Sequence, residues 1–566
     1  MSNDTATLEA LLAPHVGLHR DALLPVLWDI QAAYGYISSA AVQAISRTLQ
    51  IPEAEIYGVI SFYSLFHREP TGQQIIRICT DPVCGLKGGD DLLRAACARL
   101  RIQPGETSPD GSYTILRSSC LGLCEHAPAA LISQRGAETR SIAPVDNVDH
   151  LLTGDAGQRP TVIGGEERIL LAGEHCQTLS EYGDYAALRR AVQDLKPDSV
   201  IDEIEKSGLV GRGGAAFPTG RKWKFTRQAS DQPHYVVCNA DESEPGTFKD
   251  RVLLETRPHL VLEGMALCGY AIGASRGYLF VRGEYPEAYY TLQNALAEAK
   301  AAKLLGKRIM GSEFSFDVEI RRSAGAYICG EETALFEAIE GKRGYPRMKP
   351  PFPTNQGLFG KPTAINNVET LSAVPGIVRQ GAAWFRQFGT EKSSGTKLVS
   401  VSGHVQRPGV YEIVPGLTLR KLIEVHCGGV MGTLQAVLMG GAAGTFLKPD
   451  EIDVRLTFED LRAIGSTFGS GAVIVFNERA DLRDVLRRLA RFFQHESCGK
   501  CFACQLGTQR QLEILERIDN PLPGDDQRLW DIGLTMSESS LCGLGQTAAA
   551  AVLSALVKWP ELVGQP

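Results

Sequence analysis

Apolar residues recur at intervals of three and four from Leu8 to about Pro70, a spacing that predicts amphipathic helices. Gly35 and Pro52 mark turns between the helical segments. We therefore interpret residues 1–72 as a helical arm. Its composition favours a packing or docking role with no chemistry of its own.

The pattern changes at Gln74, where short apolar runs alternate with turns. The run IIRIC predicts a buried strand that ends on Cys79, and YTILRSSC predicts a second strand that ends on Cys120. Helical spacing lies between them, at residues 90–100. These elements predict a small α/β domain over residues 73–152.

Three further regions follow a predicted linker at residues 153–167, which is rich in glycine and small polar side chains. Residues 168–390 alternate strand-like runs such as HYVVCNA with helical patterns and predict an α/β domain. Residues 391–480 carry the strand-like runs KLVSVSGHV and GVYEIV, then LTLRKLIEV, which predicts a helix in a small β-grasp unit. Residues 481–566 show helical spacing and predict a helical bundle. The fold class predicted is α/β multidomain.

Composition limits the classes of function. The chain has 566 residues, enough for several domains, and its 44% apolar and 22% charged content is typical of a folded soluble protein. A formal net charge of −7 argues against a nucleic-acid partner, because phosphate neutralisation needs a basic excess. The N-terminus lacks the pattern of a signal peptide and no long apolar run occurs, so we expect a cytoplasmic protein without a membrane span.

The 14 cysteines predict metal ligands or buried thiols before disulfides, because the cytosol keeps thiols reduced. Four residues separate Cys79 from Cys84, and three separate Cys120 from Cys124. Each pair lies in a turn after a strand, where two thiolates can converge on one metal. Four thiolates are what a [2Fe-2S] cluster requires. Structural zinc and a thioredoxin-like dithiol are the alternatives, although the dithiol needs two residues between its cysteines.

A second cysteine group lies in the C-terminal helical region. Cys498, Cys501 and Cys504 follow the two-residue spacing of a [4Fe-4S] site, and Cys542 can close the site from a distant turn. Zinc rarely uses this triple spacing. The group predicts a [4Fe-4S] cluster.

A glycine-dense loop, GRGGAAFPTGRKW, occupies residues 211–223. Its glycines let backbone N–H groups approach a phosphate, and its cationic side chains supply opposite charge. The loop predicts a nucleotide and flavin cradle, with an ordinary surface turn as the alternative. Its glycines also fit the dinucleotide fingerprint, but residues 199–210 have helical spacing where that fingerprint needs a strand, so a standard Rossmann unit is not predicted.

Three polar clusters follow this loop. The acidic turn NADESEPGTFKDR spans residues 239–251, and its carboxylates suit hydroxyl groups of a ribityl or ribose chain, although a solvated turn is the usual explanation of such a cluster. The run GAYICGEETALFEAIEG at residues 325–341 places two glutamates where a helix begins, as the helix dipole favours. Residues 361–371 bring paired asparagines suited to hydrogen-bonding a flavin or its phosphate.

These elements in this order resemble the NADH-oxidising module of respiratory complex I. Residues 8–150 are similar to its smaller [2Fe-2S] subunit, a helical arm followed by a thioredoxin-like domain, with all four ligand positions filled. Residues 168–566 are similar to its NADH-binding flavoprotein subunit, which also has a β-grasp unit. The resemblance implies FMN, NAD, a [2Fe-2S] cluster and a [4Fe-4S] cluster as cofactors.

The resemblance also implies, position by position, which residues meet the cofactors. For FMN it implies contacts from Gly211, Arg212, Gly213, Lys222, Asn239, Asp241, Glu242, Gly330, Glu331, Asn366 and Asn367. For NADH it implies stacking by Phe217, Phe225 and Phe352, with polar contacts from Lys222, Glu244 and Glu332. Ser243 and Tyr327 complete the predicted binding set. Ala216 and Ser243 stand where the family most often has glycine, and Ala503 replaces a common proline.

The implied activity is exchange of hydride between NAD(H) and FMN and of single electrons with the clusters, with no side chain needed as general acid or base. The fusion of both parts in one chain resembles the β subunit of soluble NAD-linked formate dehydrogenases and the flavin subunit of NAD-reducing hydrogenases. The complete N-terminal ligand set favours formate dehydrogenase, so we expect a large partner subunit with a molybdenum or tungsten cofactor and further iron–sulfur clusters. A hydrogenase diaphorase, a complex I module and a flavin-free iron–sulfur adaptor are the alternatives.

Overall fold

The computed structural model describes residues 2–154, 160–173 and 176–563, and it confirms the predicted multidomain α/β class. The arm consists of α1 (Ser2–Leu12), α2 (Leu23–Tyr34), α3 (Ser39–Leu49) and α4 (Glu53–Phe62). After α4, the Ser64 and Leu65 amides donate to the carbonyl groups of Gly325 and Ala324 at 3.0 and 2.9 Å. The arm is thereby attached to the large α/β domain.

The small α/β domain has the strand order β2-β1-β3-β4, with β1 parallel to β2 and antiparallel to β3. Its strands are β1 (Gln74–Cys79), β2 (Tyr113–Ser118), β3 (Ala130–Gln134) and β4 (Arg140–Ile142). Its helices are α5 (Pro82–Leu86), α6 (Gly89–Leu100) and α7 (Val148–Thr153). The second predicted strand therefore ends two residues before Cys120, which leaves that cysteine in a loop.

The predicted linker at residues 153–167 requires a correction. Residues 155–159 lie outside the described residues, but Val162–Gly165 forms strand β5, which pairs in parallel with a strand of the β-grasp region. Pairing depends on a close backbone approach: a Cβ at Gly165 would lie 1.9 Å from the carbonyl oxygen of Glu412. Glycine, which indicated a linker, is what permits this edge strand.

The large α/β domain is built on a fully parallel sheet with the strand order β8-β7-β6-β9. The strands are β6 (Tyr235–Ala240), β7 (Arg276–Val281), β8 (Asp317–Arg322) and β9 (Thr363–Asn367). The helices are α8 (Leu179–Tyr182), α9 (Ala186–Asp194), α10 (Pro197–Ser207), α11 (Thr219–Gln228), α12 (Lys249–Thr256), α13 (Pro258–Ile272), α14 (Pro286–Ala301), α15 (Glu332–Ile339), α16 (Pro353–Gln356), α17 (Val368–Gln380) and α18 (Ala382–Phe385). The glycine loop joins α10 to α11, so a helix does precede it.

The β-grasp region contributes five strands to a six-stranded mixed sheet, whose order is β13-β12-β14-β10-β11-β5. These strands are β10 (Lys397–Gly403), β11 (Gly409–Ile413), β12 (Leu434–Met439), β13 (Thr445–Leu447) and β14 (Ala472–Asn477). The helix predicted from LTLRKLIEV is only one α turn, α19 (Leu419–Lys421), continued by a π-helical turn at Leu422–His426. A second short helix is α20 (Phe458–Ala463).

The C-terminal region is a helical bundle that packs against the large domain. Its helices are α21 (Leu482–Glu496), α22 (Phe502–Glu516), α23 (Asp525–Ser539), α24 (Gly543–Thr547) and α25 (Ala550–Lys558). One hydrophobic core joins the arm, the large domain and this bundle, whereas most of the β-grasp and small α/β cores are separate. Among the described helices, none combines the length and apolar character needed to cross a membrane.

Candidate functional site: a cleft between two cysteine clusters

A cleft opens at the carboxyl ends of β6 and β9, where the strand order of the parallel sheet reverses. Asn239 near the end of β6 lies opposite Asn367 at the end of β9. Such switch points are where open α/β sheets bind ligands, because the connecting loops diverge there. The outer cleft has a volume of about 1000 Å³, and an inner compartment of about 450 Å³ shares several lining residues with it.

The glycine loop forms one wall of the cleft. The Gly211 amide donates to the Phe217 carbonyl at 2.9 Å, which closes the loop on itself. Gly214 and Ala216 both have positive φ, at 120° and 51°. Glycine tolerates this conformation freely, but alanine does not. Ala216, which stands where the family most often has glycine, therefore introduces strain into the loop backbone.

Lys222 brings a positive charge to the cleft wall. Its Nζ donates to the carbonyl oxygen of Ile365 at 2.9 Å and lies 6.0 Å from the centre of the Phe217 ring. Burial lowers the pKa of Lys222 from its usual value. The ammonium group has no carboxylate partner within 4.0 Å among the described residues, which leaves it available to an anionic or carbonyl-bearing ligand.

Three phenylalanines line the outer cleft while remaining open to solvent. Phe217, Phe225 and Phe352 are 43%, 44% and 56% exposed. Apolar rings gathered around one cleft are typical of a binding surface. Their flat faces suit a planar ring system.

Arg212 does not line the cleft. Its side chain is buried, donates from Nη2 to the Ser394 carbonyl at 2.6 Å and lies over the Phe458 ring. Its amide donates to Thr370 Oγ1 at 2.8 Å. The side chain that the resemblance places on FMN therefore connects the loop to the β-grasp region instead.

Asp241 and Ser243 face the inner compartment. The Ser243 hydroxyl donates to Asp241 Oδ1, and burial raises the pKa of Asp241 to about 7. The second carboxyl oxygen of Asp241 is buried and has no hydrogen-bond partner among the described residues, and the Ser323 hydroxyl lies close enough to Asp241 to oppose the rise of its pKa. Because an unpaired buried oxygen is costly, this position indicates a donor from a bound ligand.

Glu242 and Glu244 are already engaged by the protein. The Glu242 carboxylate accepts from the Asp250 and Arg251 amides at 3.0 Å each and so caps α12. Glu244 accepts from the Tyr327 hydroxyl at 2.6 Å and from the Ala443 amide at 2.7 Å. Glu244 thereby connects the large domain to the β-grasp region at the cleft.

Lys349 lines the cleft, and sequence reasoning missed it. Its Nζ contacts Glu331 at 2.8 Å and Glu332 at 2.6 Å. Glu331 also caps α15, accepting from the Thr333 and Ala334 amides. No local signal marks Lys349, which stands in a proline-rich segment far from the glutamates in sequence.

The paired asparagines are oriented by protein groups. Asn366 Oδ1 accepts from Trp223 Nε1 at 2.9 Å. Asn367 Oδ1 caps α17, and its Nδ2 donates to Asp250 Oδ2 at 2.6 Å. Lys249 in turn contacts Asp250 at 2.8 Å. Sequence reasoning also missed Lys249 and Asp250 of the acidic turn, because their partners are distant in sequence.

The first cysteine group converges on one buried point. Cys79, Cys84, Cys120 and Cys124 are each at most 5% exposed. The Sγ atoms of Cys120 and Cys124 are 3.4 Å apart, and hydrogen bonds with Cys120 and Cys84 raise the pKa of Cys79. Four neighbouring sulfur donors match the number of ligands that a [2Fe-2S] cluster requires.

The second cysteine group lies beside the cleft. The Ser497 hydroxyl and the Cys504 sulfur are 3.3 Å apart, and burial raises the pKa of Cys504 to about 11. Burial also raises the pKa of Cys542 to about 12. Gly543, the next residue, lines both parts of the cleft. Residues 2–154, 160–173 and 176–563 contain no group of three or more His, Cys, Asp and Glu arranged to hold a single metal ion.

Four family descriptions match successive parts of the chain. Residues 9–151 match a thioredoxin-like [2Fe-2S] ferredoxin, 204–376 the Nuo51 FMN-binding domain, 398–437 an SLBB domain, and 484–565 the iron–sulfur binding region of NADH-ubiquinone oxidoreductase-F. These matches account for FMN and both clusters as cofactors, with NADH as substrate. They favour the iron–sulfur interpretation of the first cysteine group over zinc.

Individual relatives extend the likeness over nearly all of the chain. It is 45% identical over 388 residues to an NADH-quinone oxidoreductase F-type subunit of Rhizobium meliloti (strain 1021), covering 68% of this chain and 92% of the relative. The chain is 36% identical over 572 residues to the alpha subunit of the NAD-reducing hydrogenase HoxS of Cupriavidus necator. This match covers 96% of this chain and 91% of the relative. A crystal structure of an air-oxidized NAD+-reducing [NiFe]-hydrogenase contains a chain that is 34% identical to this one and matches its fold with a TM-score of 0.85. The match covers 96% of this chain and 93% of the hydrogenase chain.

Proposed function

This chain belongs to the family of NADH-quinone oxidoreductase F-type subunits and NAD-reducing hydrogenase alpha subunits, and we propose that its cleft holds FMN in the inner compartment and NAD(H) in the outer part. The observation that carries this assignment is the unpaired buried oxygen of Asp241. Asp241 itself lines a compartment together with other polar residues, as a hydroxyl-rich ligand requires.

The flavin would be held by groups at the sheet edge and on the glycine loop. Asp241 accepts from a ligand hydroxyl, and Ser243 keeps its carboxyl in place. Asn366, Asn367 and Lys222 present amide and ammonium donors on the opposite side. The proposed contacts are Gly211, Gly213, Lys222, Asn239, Asp241, Gly330, Glu331, Asn366 and Asn367. The buried Arg212 side chain and the helix-capping carboxylate of Glu242 support the site from behind.

The outer part of the cleft suits a dinucleotide. Phe217, Phe225 and Phe352 supply stacking faces, and the Glu332–Lys349 pair supplies polar contacts at the rim. Their work is to hold the nicotinamide ring against the flavin, and Tyr327 with Glu244 closes the inner wall. FMN, when bound, exchanges two electrons with NAD(H) and single electrons with iron–sulfur clusters.

We assign the two cysteine groups to the two clusters. Cys79, Cys84, Cys120 and Cys124 would hold the [2Fe-2S] cluster. Cys498, Cys501, Cys504 and Cys542 would hold the [4Fe-4S] cluster next to the cleft, because Gly543 lines it. This placement makes the second group the exit toward a partner and the first a side reservoir or second relay.

The electron donor is proposed to be a partner subunit that oxidises formate at a molybdenum or tungsten centre. Both cysteine groups are complete, which supports two working clusters in one chain. A second candidate donor is hydrogen, supported by the likeness to the HoxS alpha subunit over 96% of this chain. NAD⁺ reduction by the chain purified with its native partners separates them: activity with formate alone supports the first, and activity with hydrogen alone supports the second.

The flavin assignment has its own test, which also addresses the flavin-free adaptor. Lys222→Met should lower the FMN retained through gel filtration, because it removes the ammonium group that has no carboxylate partner among the described residues of the cleft wall. The exposed Lys224, two residues away and 3.8 Å from Glu205, gives a matched control as Lys224→Met. FMN is measured by its fluorescence after denaturation. Wild-type protein that carries both clusters but releases no FMN would support the adaptor instead.

A further inference from the structure

The loop from Cys120 to Cys124 is held by the large domain rather than by its own. Arg282, which follows β7, donates from Nη2 to the Cys120 carbonyl at 2.6 Å. Arg251, in α12, donates from Nε to the Gly122 carbonyl at 2.9 Å. Both arginines are buried, at 2% and 6% exposed. The loop cannot shift without disturbing the domain that contains the cleft.

A ring from the large domain fixes the same loop sterically. Gly122 has φ of 68°, and a Cβ there would lie 2.2 Å from the hydroxyl oxygen of Tyr285. The Tyr285 ring also lies against the Arg282 guanidinium, 4.9 Å from its centre. The backbone of the cysteine loop is therefore shaped to receive Arg282 and Tyr285 together.

Arg282 also reaches the cleft. Its Nη1 donates to the Glu242 carbonyl at 2.8 Å, and Glu242 lines the inner compartment. One guanidinium thus contacts a carbonyl of a cysteine in the first group and a carbonyl of the cleft. Among the contacts of the Cys120–Cys124 loop, this one joins the two proposed redox sites most directly.

Three carboxylates pair with these two arginines. Arg251 pairs with Glu125 and, at 2.8 Å, with Glu255. Arg282 lies 3.3 Å from Glu284. The hydrogen bonds nevertheless direct guanidinium N–H groups at the cysteine loop. Removing Arg282 would also leave Glu284 uncompensated near the loop.

We propose that Arg282, assisted by Arg251, raises the reduction potential of the [2Fe-2S] cluster and so keeps that cluster within reach of electrons from the cleft. Reduction adds one electron and no bond changes, so a nearby fixed positive charge favours the reduced form. Arginine keeps its charge throughout. The inference rests on the proposed function, which assigns Cys120 and its group as ligands.

The test is a redox titration of the whole chain, following the [2Fe-2S] signal by electron paramagnetic resonance. At the potential where the wild-type cluster is half reduced, Arg282→Gln should lower the ratio of reduced to oxidised cluster about tenfold, a shift of about 59 mV for a one-electron couple. Arg282→Lys keeps the positive charge and should shift the reduction potential of the [2Fe-2S] cluster less. Arg251→Gln should shift in the same direction by a smaller amount.

Two controls separate tuning from general damage. The [4Fe-4S] cluster should titrate at its wild-type potential in every variant. Arg276→Gln, at the exposed start of β7, should shift neither cluster, because Arg276 lies at the surface, where it pairs with Glu319 and contacts the Tyr278 ring. An unshifted [2Fe-2S] potential in Arg282→Gln overturns the inference, and if that variant fails to assemble, unshifted potentials in Arg282→Lys and Arg251→Gln overturn it. Retention of the [2Fe-2S] signal in Cys120→Ser would instead refute the ligand assignment.

Discussion

The two cysteine groups have the same number of thiols but opposite surroundings. The first, at Cys79 to Cys124, is fully buried and is held by arginines from another domain. In the second, three of the four cysteines are partly exposed. Helices of the same bundle carry exposed apolar side chains, namely Phe502 (77%) and Leu506 (39%) on α22 and Trp530 (43%) and Leu534 (59%) on α23.

This difference indicates that the two clusters exchange electrons with different partners. A cluster enclosed by two domains of the same chain suits exchange with another site in that chain. A cluster near an exposed apolar surface suits exchange with another protein, since such patches mark interaction sites. The cleft lies against both groups, through Glu242 and Arg282 on one side and Gly543 on the other.

The largest effect is expected from Cys542→Ser. It should abolish the [4Fe-4S] signal and electron exchange with the partner, because a [4Fe-4S] cluster of this type needs four thiolates. The [2Fe-2S] signal should remain. Cys120→Ser is the matched variant: it should lose the [2Fe-2S] signal while NADH still reduces an artificial acceptor. Loss of both signals in either variant would show that the two groups are not independent.

Glu496 physically joins the two groups and offers a smaller perturbation. Its carboxylate accepts from the Ser119 hydroxyl and from the Tyr327 amide, both at 2.9 Å, two residues before Cys498. Glu496→Ala should lower the free energy of unfolding by about 1–3 kcal/mol, because two partners lose their acceptor. Glu516→Ala removes an exposed carboxylate of the same bundle and should cost less than about 1 kcal/mol. Urea unfolding measures both, and equal losses would contradict a bridging role.

Sequence reasoning succeeded where chemistry follows from local spacing. The cysteine pairs lie in loops that follow β1 and β2, and the helix beginning at Glu331 and Glu332 is where the glutamates predicted it. The parallel sheet places Asn239 opposite Asn367, two residues that the resemblance had assigned to FMN from separate motifs. Periodicity and the resemblance predicted the helical arm, the two α/β domains, the β-grasp unit and the helical bundle.

The failures share one physical cause, which is contact between residues distant in sequence. Arg282 and Arg251 appear as ordinary charges until the fold places them on the Cys120 loop. Lys349 becomes part of the cleft only by reaching Glu331 and Glu332. A contact of the same long-range kind holds the Arg212 side chain against Ser394, and the contact of Arg212 with FMN stays a prediction. The strand at Val162–Gly165 depends on a partner strand that no local pattern reveals.

Asp241 lies between the two groups and should give a pH effect that leaves both clusters intact. Burial raises its pKa from 3.8 to about 7, so the folded protein binds more protons than the unfolded chain between about pH 4 and 7. Stability contributed by the protonated carboxyl is therefore lost as pH rises through this window. Asp241→Asn should reduce the fall in stability by about 1–3 kcal/mol.

Thermal unfolding at about pH 5 and pH 7.5 measures this change. The variant should still lose some stability as the pH rises, because burial also raises the pKa values of Glu242 and Glu255 to about 7. If the variant loses as much stability between the two pH values as the wild type does, Asp241 is not a source of the pH dependence. Altered cluster spectra would show that the cleft is not separable from the cysteine groups.

The smallest effect is expected from Ala216→Gly in the glycine loop. Ala216 has φ of 51°, a conformation that costs alanine about 1–2 kcal/mol and glycine little. Glycine also makes the unfolded chain more flexible, which offsets about 0.4–1 kcal/mol of this gain. The net expectation is a stabilisation of about 0.5 kcal/mol with FMN content and both cluster signals unchanged. Gly214→Ala is the reverse control, since Gly214 has φ of 120°, and it should destabilise the loop. A destabilised Ala216→Gly would show that its methyl group contributes packing that outweighs the backbone strain.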